Sequence, residues 1–142
     1  MTRRIPAVLL TLGLLIVTPG CYTKLAVNFG NRTPSKVFVK STKTGEEVEI
    51  ASDRFKELPH SVGDLIVTTS SKEKFRFEDV SPMDVDQKYV SKRTSIFGPG
   101  YVTLNVSLET NMHLYVLIPG NHTVDAKVEQ PKGYPKPAQK IQ

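Results

Sequence analysis

The sequence predicts an all-β protein: a small antiparallel β-sandwich of about six or seven strands, with a small β-barrel as the alternative. Three observations lead there. Apolar and polar residues alternate in short runs, most clearly Val102, Leu104, Val106 and Leu108, then Met112, Leu114, Val116 and Ile118. Turn-forming residues recur at close spacing, with 9 glycines and 10 prolines in 142 residues. No stretch carries the periodicity of a long amphipathic helix. The sandwich is preferred to the barrel because residues 79–100 interrupt any regular up-and-down spacing.

Taken in order, Leu25, Val27 and Phe29 alternate ahead of the turn Gly30-Asn31-Arg32-Thr33-Pro34, which marks a first strand or, if it stays out of the sheet, a flexible stalk over residues 22–35. Lys36-Val37-Phe38-Val39-Lys40 and the alternation of Val48 and Ile50 with Glu47 and Glu49 make a hairpin closed near Gly45. A two-residue loop sets Val39 opposite Ile50. A three-residue loop with a glycine bulge sets Phe38 there, and the pattern does not choose. A short helical turn capped by Ser52 or Asp53 fits residues 52–57, and Pro59 forbids its extension. Asp64-Leu65-Ile66-Val67-Thr68-Thr69 and Lys74-Phe75-Arg76-Phe77-Glu78 are strands about the turn Ser70-Ser71-Lys72-Glu73. Residues 80–100 form a long connection with short ordered pieces, including Tyr89-Val90.

The strongest hairpin follows. A loop of Glu109-Thr110-Asn111 places Leu108 opposite Met112, Val106 opposite Leu114, Leu104 opposite Val116 and Val102 opposite Ile118. All eight side chains then share one face. Tyr115 and Leu117 fall on the other face and need a cover. Val124, Ala126 and Val128 suggest one last strand. From residue 129 onward the chain reads as a disordered, basic, proline-containing tail.

The organisation expected is therefore residues 1–20, residues 21–35 with the first strand, a sandwich domain over 36–128, and the tail 129–142. Residues 1–20 have the order of an export signal. Arg3 and Arg4 precede an apolar run from Ala7 to Val17, which ends in small residues and the single cysteine, Cys21. The run is too short for a spanning helix, which needs about 20 apolar residues. Cleavage before Cys21 leaves 122 residues, one domain by length. It also lowers the formal charge from +5 to +3, too little to argue for nucleic acid.

The segment Thr18-Pro19-Gly20-Cys21 resembles the lipobox of bacterial lipoproteins, with Thr18 and Pro19 standing where that family usually carries a leucine-like and a small residue. The resemblance covers residues 1–21. It implies cleavage before Cys21, a diacylglyceryl group on its thiol and an acylated new N-terminus, hence membrane attachment through acyl chains such as palmitate. Acylation also consumes a lone thiol that would otherwise seek intermolecular pairing in an oxidising compartment. Because Tyr22 is not the aspartate that favours inner-membrane retention, the resemblance implies a protein facing the periplasm or cell surface, with the outer membrane favoured.

The densest polar constellation is Glu57-Leu58-Pro59-His60-Ser61-Val62-Gly63-Asp64. A small envelope hydrolase or ligand-binding protein would use Glu57, His60 and Asp64 from one concave pocket. Neighbours on an extended segment point in opposite directions, so His60 and Ser61 are poorly placed to pair. A loop leading into a strand is the preferred reading, with no enzyme activity expected. No metal is expected either: His60, His113 and His122 show no ligand spacing, and Asp84 and Asp86 lack the glycine and the further acids of a calcium loop. The sequon matches at Asn31, Asn105 and Asn121 carry no weight beside a bacterial-type lipid signal. The function expected is a cofactor-free structural, assembly or partner-binding module of the cell envelope. Its envelope partner, an unidentified protein, would dock on the surface around Tyr89, Phe97, Tyr101 and Tyr115, or on an open sheet edge.

Overall fold

A computed structural model describes residues 24–93, 96 and 100–142. Cys21, Phe97 and the export segment lie outside the described residues. Within them the chain forms eleven strands and no α-helix. They are β1 (Lys24–Asn31), β2 (Val37–Ser41), β3 (Glu47–Ile50), β4 (Arg54–Pro59), β5 (Gly63–Thr69), β6 (Lys74–Val80), β7 (Val90–Arg93), β8 (Tyr101–Leu108), β9 (His113–Val116), β10 (Lys136–Pro137) and β11 (Gln139–Ile141). One sheet, A, has the order β10-β9-β8-β1-β4, with β7 also on β8; the other, B, has the order β11-β6-β5-β2-β3. The expected all-β sandwich is what the chain adopts. It does not close into a barrel, because β3 pairs with β2 and β4 pairs with β1, leaving the two sheets joined there only by the turn at 51–53.

The strand count exceeds the expected six or seven because β4, β7, β10 and β11 form where a helical turn, a connection and a tail were expected. β1 is no stalk. It lies inside sheet A, parallel to β8 from Lys24↔Tyr101 to Asn31↔Leu108 and antiparallel to β4. Val27 and Phe29 are fully buried, facing Val37, Val39, Leu65, Val67 and Phe77 of sheet B. Pairing with β1 also overrides the helical turn expected at 52–57. Asp53 takes the left-handed region (φ 58°) and its amide donates to Asn31 O at 2.7 Å, so the chain turns and leaves as β4.

Both long hairpins differ from the expected registers, for local reasons. In the β2–β3 hairpin Val37 faces Ile50 and Val39 faces Val48. The loop is Thr42-Lys43-Thr44-Gly45, with Gly45 at φ 73° donating to Ser41 O at 2.8 Å. In the β8–β9 hairpin the three-residue loop shifts by one, to Thr110-Asn111-Met112, and Leu108 faces Leu114. Asn111 Oδ1 accepts from the His113 amide at 3.0 Å while Met112 adopts φ 59°, the position a glycine commonly takes in such loops. Moving the loop by one moves the register by two, so every side chain keeps its face. Leu104, Val106, Leu108, Leu114 and Val116 are buried as expected, and Met112 and Ile118 pack at the margin of the core.

Residues 81–89 carry two 3-10 turns, Pro82–Asp84 and Gln87–Tyr89; Ser81 Oγ caps the first by accepting from the Met83 amide at 3.1 Å. The expected strand over 124–128 is a turn, with the Val128 amide donating to Asp125 O.

The C-terminal segment is not a disordered tail. Lys136–Pro137 adds to β9 of sheet A, and Gln139–Ile141, one residue further on, adds to β6 of sheet B. The chain thus changes sheet at Ala138, whose amide donates to Met112 O at 3.1 Å. Ahead of it, Gln130 forms two hydrogen bonds to the backbone of Val116, at 2.8 and 2.9 Å, and Tyr89 Oη donates to Glu129 O at 2.5 Å. Proline and lysine content suggested disorder, but a two-residue and a three-residue strand need few apolar residues when an edge is waiting for them.

Tyr134 packs against the core from this segment, and among the described residues its buried hydroxyl has no hydrogen-bond partner. Burial, then the charges of Asp84 and Asp79, push its ionisation well above the ordinary value of 10.0. Below that pH both folded and unfolded chains hold the phenol proton. Above it the unfolded chain releases the proton first, so stability falls as pH rises. Tyr134→Phe removes the orphaned hydroxyl and is expected to raise stability by about 1 kcal/mol at neutral pH. It should also flatten the alkaline loss, measured as urea midpoints at about pH 8 and about pH 11. A lower midpoint for Tyr134→Phe at both pH values would show that the hydroxyl is satisfied.

Candidate functional site

The outer face of sheet A holds an open cavity of about 570 Å³. Its residues follow from the two-residue period of the strands that face the core with Val27, Phe29, Leu58, Leu104 and Val106. The intervening positions point outward, and the polar ones among them, Asn28, Glu57, Ser91, Thr103 and Asn105, line the cavity. Across the sheet, Glu57 of β4 lies beside Asn28 of β1, which lies beside Asn105 of β8. Thr103 of β8 lies beside Ser91 of β7 in the next row, and Tyr101 beside Arg93 in the one after. Glu57 and Arg93 thus occupy diagonal corners.

A ladder of side chains runs over the floor. Asn28 Nδ2 donates to Asn105 Oδ1 at 3.0 Å, and Asn105 Nδ2 donates to Ser91 Oγ at 3.0 Å. It crosses three strands, so the amides are held by backbone pairing on both sides. At the Tyr101 end, Lys24 Nζ sits 5.5 Å from the centre of the Tyr101 ring. Beyond the opposite end, the Phe55 ring covers Gly30 so closely that a Cβ there would fall 2.3 Å from Phe55 Cε1. Arg32 lies over that ring at 5.5 Å, donates to His122 O through Nη2, and pairs with Asp53 at 3.2 Å.

Of the aromatic residues expected at a docking surface, Tyr101 lines this cavity. Tyr115 is half-buried and lies beside Ser107 on the same outer face, its hydroxyl accepting from Asn111 Nδ2 at 3.0 Å. Tyr89 is 4% exposed and belongs to the core, with its ring between the sheets and its hydroxyl bonded to the backbone, so it offers no docking surface. Phe97 lies outside the described residues. Tyr89, Tyr101 and Tyr115 therefore do not form one patch.

Of the other polar candidates, Glu57 lines the cavity, and neither His60 nor Asp64 does. His60 follows β4 at φ 58°, while Asp64 sits on sheet B, where Oδ1 accepts from the Asp79 amide at 3.1 Å and Oδ2 lies 3.9 Å from Arg76 Nε. Asn31 is buried and bonded to Ser35 O, Ile50 O and Thr33, which makes it a folding residue. Among the described residues no group of three or more His, Cys, Asp and Glu side chains is placed to hold a metal ion.

Sequence reasoning missed Asn28, Asn105, Ser91, Thr103 and Arg93. The signal present was polar residues at every second position of the apolar strands. Which strands lie side by side, and so which of those residues meet, depends on the parallel β1–β8 pairing, and that is non-local. No family model, curated protein or solved structure matches the chain.

Proposed function

We propose that the chain is an exported lipoprotein of the cell envelope, acylated on Cys21, which works as a binding module without a catalytic step or cofactor. The observation that carries the reading is the order Arg3-Arg4, apolar run, Gly20-Cys21, followed almost at once by the fold: β1 begins at Lys24. At about 3.5 Å per residue, three residues span roughly 10 Å. An acyl anchor on Cys21 therefore holds the Lys24 end of the sandwich against the headgroups without a spacer. Two or three acyl chains supply stable attachment where one does not. Tyr22 favours the outer membrane, facing the periplasm or the cell surface. The outer face of sheet A, with its polar cavity and with Tyr101 and Tyr115, is the surface on which an envelope partner is met.

Cys21→Ser tests the anchor. Expected is loss of metabolic acyl labelling together with transfer of the protein from the membrane to the soluble fraction. Retention in the membrane fraction by the unlabelled variant would overturn the reading in favour of an uncleaved N-terminal helix.

A further inference from the structure

We infer that the cavity on the outer face of sheet A is a saccharide-binding site, taking a hydroxyl-rich sugar with an anionic substituent at the Arg93 corner. The inference deepens the binding-module reading and rests on it only for where the ligand is met. A sugar ring presents hydroxyls that both donate and accept, so its site needs groups of both kinds set at fixed spacing. The Asn28–Asn105–Ser91 ladder has that character: a primary amide carries two donors and one two-lone-pair acceptor, and the ladder engages one N–H of each asparagine. Glu57 supplies a planar acceptor for a pair of neighbouring hydroxyls. Arg93, at the diagonal corner, supplies the planar donor fork that suits a carboxylate.

Size and stiffness agree with this. The cavity, about 570 Å³, lies within the range of small-ligand sites. Small-molecule sites are lined mainly by apolar side chains. Here the recess is polar, its aromatic contribution is Tyr101, and Lys92 lines it as a second cation next to Arg93, with Lys24 on the other side of the Tyr101 ring. An apolar ligand gains little from such a surface. A sugar gains hydrogen bonds along the floor and an aromatic edge for its C–H groups. The floor is built on paired strands, so the polar groups are held before the ligand arrives.

The test uses the ¹⁵N-labelled chain carrying Cys21→Ser, titrated with a uronate-terminated disaccharide, with maltose, with inorganic phosphate and with phosphatidylglycerol vesicles. Expected are saturable shifts from the uronate disaccharide at the amides of Asn28, Thr103 and Asn105, with maltose about tenfold weaker for want of the charged bond to Arg93. Glu57→Gln and Arg93→Gln, each melting as the parent does, should each weaken binding by about tenfold. The inference is overturned if neither disaccharide moves these signals at millimolar concentration, or if the shifts survive in both variants. It is also overturned if phosphate alone or the vesicles alone reproduce them. The fractionation of Cys21→Ser is read separately, so a failed anchor and a failed sugar site give different results.

Discussion

Ending the chain at Glu129 is expected to lower stability by about 3–5 kcal/mol, with a fall of roughly 10–20 °C in Tm. The deleted residues supply the two hydrogen bonds from Gln130 to Val116, the burial of Tyr134, and the β10 and β11 ladders. Each hydrogen bond is worth about 1 kcal/mol net and a buried aromatic about 1.5–3 kcal/mol. The edges of β9 and β6 are also laid bare, so the truncated chain should be more prone to self-association. Lys140→Ala is the control. It removes the exposed pair with Glu73 at 2.8 Å, whose carboxyl is held below its ordinary range by the Lys140 hydrogen bond and charge, yet keeps both ladders. Urea titrations of the two variants separate the effects, with no measurable change expected for Lys140→Ala. An unchanged midpoint after truncation would mean that residues 130–142 merely rest on the surface.

How much of this was legible in the sequence depends on how local the cause is. The core of the β8–β9 hairpin was legible because alternation fixes a face whatever the loop does; the register was not, because it turned on which residue, Asn111 or Met112, takes the left-handed position. The disorder expected beyond residue 129 failed for the opposite reason. Composition describes what a segment can bury alone, whereas β10 and β11 are held by edges provided elsewhere. Tyr89 looked like a surface aromatic in a charged connection, and nothing nearby in sequence marks Glu129 O as the acceptor of its hydroxyl. The cavity was least legible of all. Its floor joins residues 77 positions apart, Asn28 and Asn105, through a parallel pair that only the whole topology creates.

Phe29→Ala is expected to cost about 3–5 kcal/mol, a large share of the roughly 5–15 kcal/mol available to a domain of this kind. Phe29 is fully buried on β1, between Lys56 of β4 and Val106 of β8 in the sheet, and it faces sheet B with the rest of the core. No neighbour can close the gap without distorting a ladder on one side or the other. Phe38→Ala is the comparison, because that ring is half-buried on β2 with Lys36 Nζ 5.6 Å from its centre, and its loss should cost less than about 1.5 kcal/mol. Equal midpoints for the two variants would return residues 24–31 to the role of a stalk. A large difference has a consequence for attachment. If Cys21 carries the proposed anchor, any pull on it reaches Lys24 within three residues, and Lys24 is paired with Tyr101 at one end of the polar cavity. The strand that holds the core together would then also fix the height and tilt at which that cavity stands above the membrane.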